Sequence, residues 1–349
     1  MTKRFVFFLL TLSAVPALAQ TAVPPAQTAA PPEYPIVRVG MVSYLQYVAE
    51  LENRDKHNAF DVTRAYLNIN AQVSPNVRFR FTPDVRRVTD GSLAGTLTVR
   101  VKYAFAQFDN VTPRGWIRLG MHQTPWLDFE ESINRYRVQG TMFSEREGLI
   151  PGSADFGVGY FTPLPKGYGE IQAGVYNGEG YAQAETNKYK SVQGRITVRP
   201  LPGRGVWNGL RVSGFYNAGW YAADRPRRLG IVMGSFEHPH VIATVQHVAA
   251  TENPVAGVAI NTERSGISGF LEIRQGVRGW AGLARFDAYD PNVEVARNSE
   301  RRVIAGGGYW FVWPRSRVGF VATNEQVHYG ARAGKTTENR FLFQTHVEF

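Results

Sequence analysis

Residues 97–105 read LTVRVKYAF, a run in which large apolar side chains alternate with polar or small ones. The odd positions carry Leu, Val, Val, Tyr and Phe, and the even positions carry Thr, Arg, Lys and Ala. Successive side chains of a β-strand point to opposite faces of a sheet. The run therefore predicts a strand with an apolar face, including Tyr103 and Phe105, and a polar face, including Arg100 and Lys102.

The same two-residue period recurs from Ile36 to the carboxyl terminus, in segments of about ten residues separated by turn residues. We predict about sixteen strands. They lie near 36–49, 60–73, 76–84, 95–108, 115–123, 154–162, 168–177, 190–199, 208–221, 228–237, 240–250, 264–275, 278–289, 301–313, 316–329 and 338–349. No apolar stretch after the first twenty residues approaches the roughly eighteen that a membrane-spanning helix needs. A barrel spans with fewer apolar residues, because only alternate side chains face lipid.

The connectors between these segments alternate in length. The short ones are 74–75, 163–167, 200–203, 238–239 and 314–315. The long ones fall near 50–59, 85–94, 124–153, 178–189, 251–263, 290–300 and 330–337. Outer-membrane barrels have short periplasmic turns and long outer loops. The fold class that follows is all-β, a transmembrane antiparallel β-barrel with both termini on the periplasmic side.

The amino terminus has the pattern of a cleavable export signal. Lys3 and Arg4 precede a short apolar run, and Ala17-Leu18-Ala19 is a small-x-small cleavage site. We predict a signal peptide over 1–19, a flexible Pro-, Ala- and Thr-rich lead-in over 20–35, and the barrel over 36–349. Loss of Lys3 and Arg4 lowers the formal net charge from +10 to +8. The expected location is the outer membrane, with its lipid as a partner.

The polar faces of the strands are rich in cations, which predicts a positively charged lumen. The predicted pore-lining residues are Arg64, Arg78, Arg80, Arg100, Lys102, Arg118, Arg195 and Arg199. Rings of cations in a pore favour anions, and the planar guanidinium suits phosphate and carboxylate groups. Two alternatives stay open. Some cations lie at the rims and contact lipid phosphates, and acids such as Asp155 and Glu170 offset part of the charge.

Residues 124–153 form the longest connector, which follows the fifth strand. Loops of this length are usually functional, and we predict that this third outer loop folds into the lumen and narrows it. Its candidate constriction residues are Arg135, Arg137, Arg146, Asp128, Glu130 and Glu131. The alternative is a loop that stays outside on the surface.

Three motifs resemble the phosphate-selective porin O/P family. They are Arg64-Ala65-Tyr66-Leu67-Asn68 with residues 74–80, Gly120-Met121-His122-Gln123-Thr124-Pro125, and the run from Pro151 to Val158. The resemblance extends loosely to the last strand. It implies a sixteen-stranded homotrimeric porin whose third outer loop enters the channel, with an arginine ladder and a central phosphate-binding zone. The final strand, which ends at Phe349, also resembles the assembly signal of outer-membrane barrels.

Other chemistries find little support in the sequence. The histidines are scattered without the spacing of a metal site, and no GxSxG, HExxH or phosphate-loop motif occurs. We therefore expect no enzyme activity, no metal and no cofactor. A rim hydrolase using His122 and Ser144 is the weakest alternative. The cations are spread over many strands and the chain is exported, so nucleic-acid binding is not expected.

The sequence thus predicts an outer-membrane porin, a passive channel for small hydrophilic solutes that prefers anions such as phosphate. The alternative is a plugged, adhesive or structural barrel without channel activity. Both alternatives need aromatic side chains at the membrane interfaces. The candidates for these girdles are Trp116, Trp220, Trp280, Trp310 and Trp313.

Overall fold

The computed structural model describes residues 33–52, 56–88, 91–185, 187–222, 225–253 and 261–349. The predicted signal peptide and nearly all of the predicted lead-in lie outside the described residues. Residues Tyr34–Phe349 form one compact unit.

Sixteen strands make up this unit, and their bounds lie within a few residues of the predicted ones. They are β1 (Ile36–Glu52), β2 (Asn58–Ser74), β3 (Val77–Arg87), β4 (Leu97–Asp109), β5 (Trp116–Gln123), β6 (Ala154–Pro163), β7 (Gly169–Tyr176), β8 (Ser191–Val198), β9 (Leu210–Ala222), β10 (Arg225–His238), β11 (Val241–Glu252), β12 (Thr262–Arg274), β13 (Gly279–Asp290), β14 (Glu300–Trp313), β15 (Ser316–Tyr329) and β16 (Glu338–Glu348). Two short helices, α1 (Leu127–Ile133) and α2 (Phe143–Arg146), lie between β5 and β6, and 3₁₀ turns occupy Tyr136–Val138, Pro165–Gly167 and Gly205–Gly209.

The strands form a closed antiparallel barrel. Each strand pairs with its neighbours in sequence, and β1 pairs with β16, for example at Tyr44 opposite His346. Closure leaves no sheet edge without hydrogen bonds, as a bilayer requires. The predicted sixteen-stranded antiparallel barrel is confirmed. No helix in the described part of the chain is long and apolar enough to cross a membrane.

The two ends of the barrel differ as predicted. One end has the short turns, which are residues 75–76, 110–115, 164–168, 199–209, 239–240, 275–278 and 314–315. The other end has the longer connectors, with 124–153 the longest. The pattern has exceptions, because 199–209 at the short-turn end has eleven residues, whereas 53–57 and 223–224 at the long-loop end have five and two. Both termini of the barrel lie at the short-turn end.

A bulge in β4 changes the predicted faces of that strand. Thr82 pairs with Tyr103 and Pro83 pairs with Val101, so Lys102 is an extra residue without a partner on β3. A bulge of this kind shifts the alternation by one residue. Tyr103 and Phe105 therefore point into the barrel and are buried. Their predicted place on the outward apolar face was wrong.

The outward face carries the aromatic and aliphatic side chains expected at a lipid boundary, with Val99 and Trp280 69% and 62% exposed. Trp220 and Trp313 are also exposed, as a girdle requires. The prediction was wrong for two tryptophans. Trp116 stacks on Phe161, its inward-facing partner on β6, and Trp310 is completely buried.

Candidate functional site

The connector 124–153 lies inside the barrel and covers one half of its wall. Trp126, Leu127 and Phe143 are fully buried. They belong to one apolar cluster with inward side chains of the wall, including Phe215, Leu229, Ile231, Met233, Val248, Phe270, Leu283, Ile304 and Val321. These wall residues belong to β9–β15. The predicted inward loop is confirmed, and we call residues 124–153 the lumen loop.

Polar contacts attach the lumen loop to the same half of the wall and to β16. Arg135 forms an ion pair with Glu272 on β12, and Arg146 Nη1 lies 2.8 Å from Asp287 Oδ2 on β13. Gln344 Nε2 on β16 donates to the Val138 carbonyl at 2.7 Å. Arg135 and Arg146 were predicted to line the constriction. Their guanidinium groups instead hold the loop against the wall.

Glu130 is also an attachment point. Its carboxylate accepts hydrogen bonds from Trp126 Nε1 at 3.1 Å and from Gln246 Nε2 on β11 at 2.6 Å. Burial raises the pKa of Glu130 to about 7, and the nearby Arg285 guanidinium opposes only part of this rise. The residue therefore contacts the wall rather than the open lumen.

Arg137 organises the carboxylates within the loop. Its guanidinium pairs with Glu145 and lies 3.4 Å from Glu131. Burial acts to lower the pKa of Arg137, but the two carboxylates outweigh burial and raise it well above its ordinary value. Burial raises the pKa of Glu131, and Arg137 and Lys102 oppose that rise. Asp128, by contrast, is exposed to the lumen.

The opposite half of the wall, formed by β1–β5, carries cations of two kinds. Some have a carboxylate partner. Arg64 Nη1 and Arg100 Nε each lie 3.0 Å from the same Asp84 oxygen, and the Asp84 side chain is completely buried. Arg78 pairs with Asp109 at 2.5 Å. The charges of these arginines are therefore at least partly neutralised.

Arg38, Arg80, Lys102 and Arg118 form the second kind. Among the described residues, none of the four has a carboxylate oxygen within the 4.0 Å of an ion pair. Arg80 donates to Asn68 Oδ1 at 2.7 Å, Arg118 donates to the Gln107 and Gln123 side chains at 2.7 and 2.8 Å, and Lys102 Nζ donates to the Tyr66 hydroxyl at 3.1 Å. These hydrogen-bond partners carry no charge, so no ion pair neutralises Arg80, Arg118 or Lys102 directly. We call the four residues the cationic wall.

Aromatic rings support the cationic wall. The Arg118 guanidinium lies 4.0 Å from the Trp116 ring centroid, and that of Arg80 lies 4.5 Å from the Tyr103 centroid. Lys102 Nζ lies 4.3 Å from the Tyr66 centroid. Contacts of this type orient a cation without neutralising it. The bulge in β4, which turns Tyr103 inward, is thus part of the site.

A cavity of about 400 Å³ adjoins the wall. Its polar lining comes from Arg38, Asn70, Gln72, Arg78, Arg80, Gln107 and Arg118. Asp128 and Glu131 of the lumen loop are close enough to influence Arg118 and Lys102 electrostatically. The lumen therefore has cations on the wall and carboxylates on the loop, and guanidinium and amide donors are available to an anion.

Two predicted pore-lining residues lie elsewhere. Arg195 points inward, but the lumen loop covers it. Its guanidinium lies 4.0 Å from the Phe129 ring centroid and donates to the Pro125 carbonyl at 2.8 Å and to Glu170 at 2.7 Å. Arg199 follows β8 in the short turn 199–209.

Sequence reasoning did not select Arg38, although the required signal was present. Arg38 lies between Val37 and Val39, and both valines are exposed on the outside of the barrel. The alternation alone therefore places Arg38 inward, opposite Asn70 of β2. Tyr181 was also missed. It comes from the connector after β7, and its hydroxyl accepts a hydrogen bond from Arg100.

The residues of the hydrolase alternative are not arranged for catalysis. His122 Nδ1 contacts the Gln123 carbonyl at 3.0 Å, while His122 Nε2 and Ser144 Oγ are buried and have no hydrogen-bond partner among the described residues. The two side chains therefore do not form a nucleophile–base pair. Within the described ranges, no group of three or more His, Asp or Glu side chains could hold a metal ion.

The barrel, its inward loop and its polar lumen define the outer-membrane porin fold. Comparison with solved structures agrees. The chain is similar to the anion-selective porin from Comamonas acidovorans, with a TM-score of 0.64, 11% identity, and 90% of this chain and 100% of that chain covered. It is similar to Salmonella typhi OmpF, with a TM-score of 0.62, 12% identity and coverage of 90% and 97%. It is also similar to the trimer form of Vibrio cholerae OmpT, with a TM-score of 0.59, 13% identity, and 91% of this chain and 100% of that chain covered.

Neither a protein-family model nor a curated protein sequence matches the chain. The resemblance to the phosphate-selective porin O/P family therefore stays a prediction. The structural comparisons, at 11–13% identity, show the fold alone.

Proposed function

We propose that the protein is an outer-membrane porin, a passive diffusion channel that prefers small anions. The observation that carries this proposal is the cationic wall of Arg38, Arg80, Lys102 and Arg118. Other lumen arginines have carboxylate partners, such as Arg285 with Asp287 at 2.9 Å and Arg340 with Glu325 at 2.9 Å. Net positive charge is thus concentrated on β1–β5, where Arg38 is exposed, Arg80 and Arg118 are half-buried and Lys102 is buried against Tyr66.

An anion in this space exchanges part of its hydration shell for donors on the wall. The guanidiniums of Arg80 and Arg118 and the amides of Asn70 and Gln107 supply such donors around the cavity. The carboxylates of Asp128 and Glu131 disfavour an anion on the loop side. A solute therefore follows the wall, and its concentration gradient is sufficient to drive passage.

Phosphate or a similar oxyanion is the solute class that we propose. Arginine donates hydrogen bonds in pairs, which matches the oxygens of phosphate and carboxylate groups. The resemblance to the porin O/P family supports the same class, and the structural similarity to the anion-selective porin from Comamonas acidovorans supports an anion preference alone.

The test is the reversal potential of the purified full-length protein in a planar bilayer under a salt gradient. The wild type should show discrete conductance steps and anion selectivity, and phosphate added on one side should reduce the chloride current. The triple variant Arg80→Ser, Lys102→Ser and Arg118→Ser should shift permeability toward cations by roughly threefold or more. Unchanged reversal potentials in the triple variant would refute the assignment.

A matched control removes three cations from the long-loop end, with Lys188→Ser, Arg297→Ser and Arg332→Ser. These positions lie in connectors outside the lumen wall. The control should keep the selectivity of the wild type, which separates a local effect of the cationic wall from a change in total charge.

A plugged barrel is the second candidate function, because the apolar cluster of the lumen loop fills the β9–β15 half of the interior. In that case the bilayer would show no conductance steps, and the outer connectors would be the working surface. Hydrolase activity is not part of either proposal.

We also propose the outer membrane as the location and a homotrimer as the assembly. The trimer form of Vibrio cholerae OmpT and the porin O/P resemblance support the trimer. Cleavage after Ala19 belongs to the same proposal.

A further inference from the structure

The short-turn end of the barrel carries exposed cations. Arg114, Lys166, Arg204, Arg278 and Arg315 lie in five different short turns, and all five are exposed. The seven short turns contain no Asp or Glu. We call these five residues the cationic turn ring.

The ring cations are not paired with carboxylates among the described residues. In the part of the chain that the structure describes, none of the five side chains has an ion pair or a side-chain hydrogen bond. The long-loop end differs, because its connectors mix both signs. There Lys190 pairs with Glu185 at 2.7 Å. The ring cations are therefore available to a partner outside the chain.

Exposed aromatic side chains accompany four of the five cations. Tyr168 follows Lys166, Trp207 follows Arg204, Trp280 follows Arg278 and Trp313 precedes Arg315, each within three residues. These rings are 48%, 57%, 62% and 49% exposed. Trp280 and Trp313 point outward and pack with Tyr309 and Phe311 in an aromatic patch on β13 and β14.

An aromatic ring beside a cation is the arrangement expected where a protein surface crosses from hydrocarbon to headgroups. Amphipathic rings favour the boundary, and Arg and Lys side chains extend from it to the phosphates. An anionic polymer such as peptidoglycan would account for the cations but not for the exposed aromatic rings. The pairing therefore favours lipid.

We propose that the cationic turn ring and its adjacent aromatic side chains bind the phosphate headgroups of anionic phospholipids in the leaflet at the short-turn end. This lipid site is distinct from the proposed channel and does not depend on it. Zwitterionic phosphatidylcholine carries no net charge, so five unpaired cations should bind it less tightly than they bind phosphatidylglycerol.

The test uses the intact protein in bilayers of phosphatidylglycerol and phosphatidylcholine, with one of the two lipids brominated. Quenching of tryptophan fluorescence gives the relative binding constant of the two lipids, because Trp207, Trp280 and Trp313 lie at the ring. We expect phosphatidylglycerol to be preferred about threefold by the wild type, and much less in 1 M salt. A wild-type ratio near one overturns the proposal.

The test variant changes Arg114, Lys166, Arg204, Arg278 and Arg315 to Ser and should lower the ratio to about one. Its control changes Lys56, Lys188, Arg297, Arg332 and Lys335 to Ser, which removes the same charge from the long-loop end, and should keep the wild-type ratio. If the quintuple variant does not fold, the double variant Arg278→Ser and Arg315→Ser, beside Trp280 and Trp313, should lose about half of the preference.

A second measurement separates lipid from polymer. Peptidoglycan sacculi are sedimented with the wild type and with the quintuple variant in detergent. The lipid proposal is overturned if the quintuple variant no longer sediments with the sacculi while its lipid ratio stays at the wild-type value. That result would assign the ring to the polymer. A lipid ratio that falls in the quintuple variant while sedimentation stays the same supports the lipid proposal.

Discussion

At the scale of single residues, carboxylates decide which lumen cations keep their charge. Asp84 is buried between Arg64 and Arg100 and contacts both. Arg80 and Arg118 point into the same lumen but have only amide and hydroxyl partners. Counting arginines therefore overestimates the charge that a solute meets. Whether each arginine has a carboxylate partner matters more than how many arginines line the lumen.

Substitution of Asp84 by Asn tests this reasoning. The change keeps an oxygen that can accept a hydrogen bond but leaves the charges of Arg64 and Arg100 uncompensated. Anion-to-cation permeability should rise roughly twofold, as read from the reversal potential under a salt gradient. Asp109→Asn is the matched control, because its partner Arg78 is already 54% exposed at the barrel end, and it should change selectivity less. A shift of Asp84→Asn toward cations would contradict the reasoning.

At the scale of elements, the lumen loop depends on how α2 fits the wall. Phe143 is fully buried, and its ring meets Tyr289 edge-on with centroids 6.1 Å apart. A Cβ added to Gly266 on β12 would lie 2.6 Å from Phe143 Cζ. The absence of a side chain at Gly266 therefore lets the loop lie close to the wall. This contact helps to set how much of the lumen stays open.

Phe143→Ala should loosen the lumen loop. Loss of a fully buried phenyl ring costs roughly 3 kcal/mol of stability, and the loop should produce more open-channel current noise in single-channel recordings. Gly266→Ala should also loosen the loop, because the added methyl group would displace the Phe143 ring, and part of its cost should come from the Ala288 carbonyl oxygen at 2.9 Å. In the double variant the phenyl ring is absent, so the loss of stability should be smaller than the sum of the losses in the two single variants. Strict additivity would show that the two residues do not act through this contact.

At the scale of the whole molecule, different surfaces of the barrel have different roles. Its outward face carries exposed apolar side chains, one half of its interior holds the lumen loop, and the other half carries the cationic wall. The short turns and the long connectors lie at opposite ends. In the proposed orientation, the long-loop end faces the exterior and the cationic turn ring faces the periplasm.

Thiol labelling of intact cells tests this orientation. The chain has no cysteine, so an introduced one is the single reactive thiol. A membrane-impermeant maleimide too large for a porin channel should label Lys335→Cys in intact cells. It should label Arg278→Cys only after the outer membrane is permeabilised, and the wild type should not react. The reverse pattern would mean that the barrel is inserted in the opposite sense.

The sequence by itself determined the barrel. Alternation with a period of two and connectors of alternating length are local properties, and they were sufficient for sixteen strands and an inward third loop. The same pattern was sufficient to place Arg80 and Arg118 inside, because a side chain on the polar face of a closed sheet has only the lumen to enter.

Only the tertiary structure decided which of these residues form the site. The bulge at Lys102 turned Tyr103 inward, and no local pattern marks where a strand gains a residue relative to its partner. The lumen loop covered Arg195 and directed Arg135 and Arg146 to the wall, because its contacts join residues more than a hundred positions apart. Charge compensation depends on distances of a few ångströms between separate strands, and the chain order does not contain those distances.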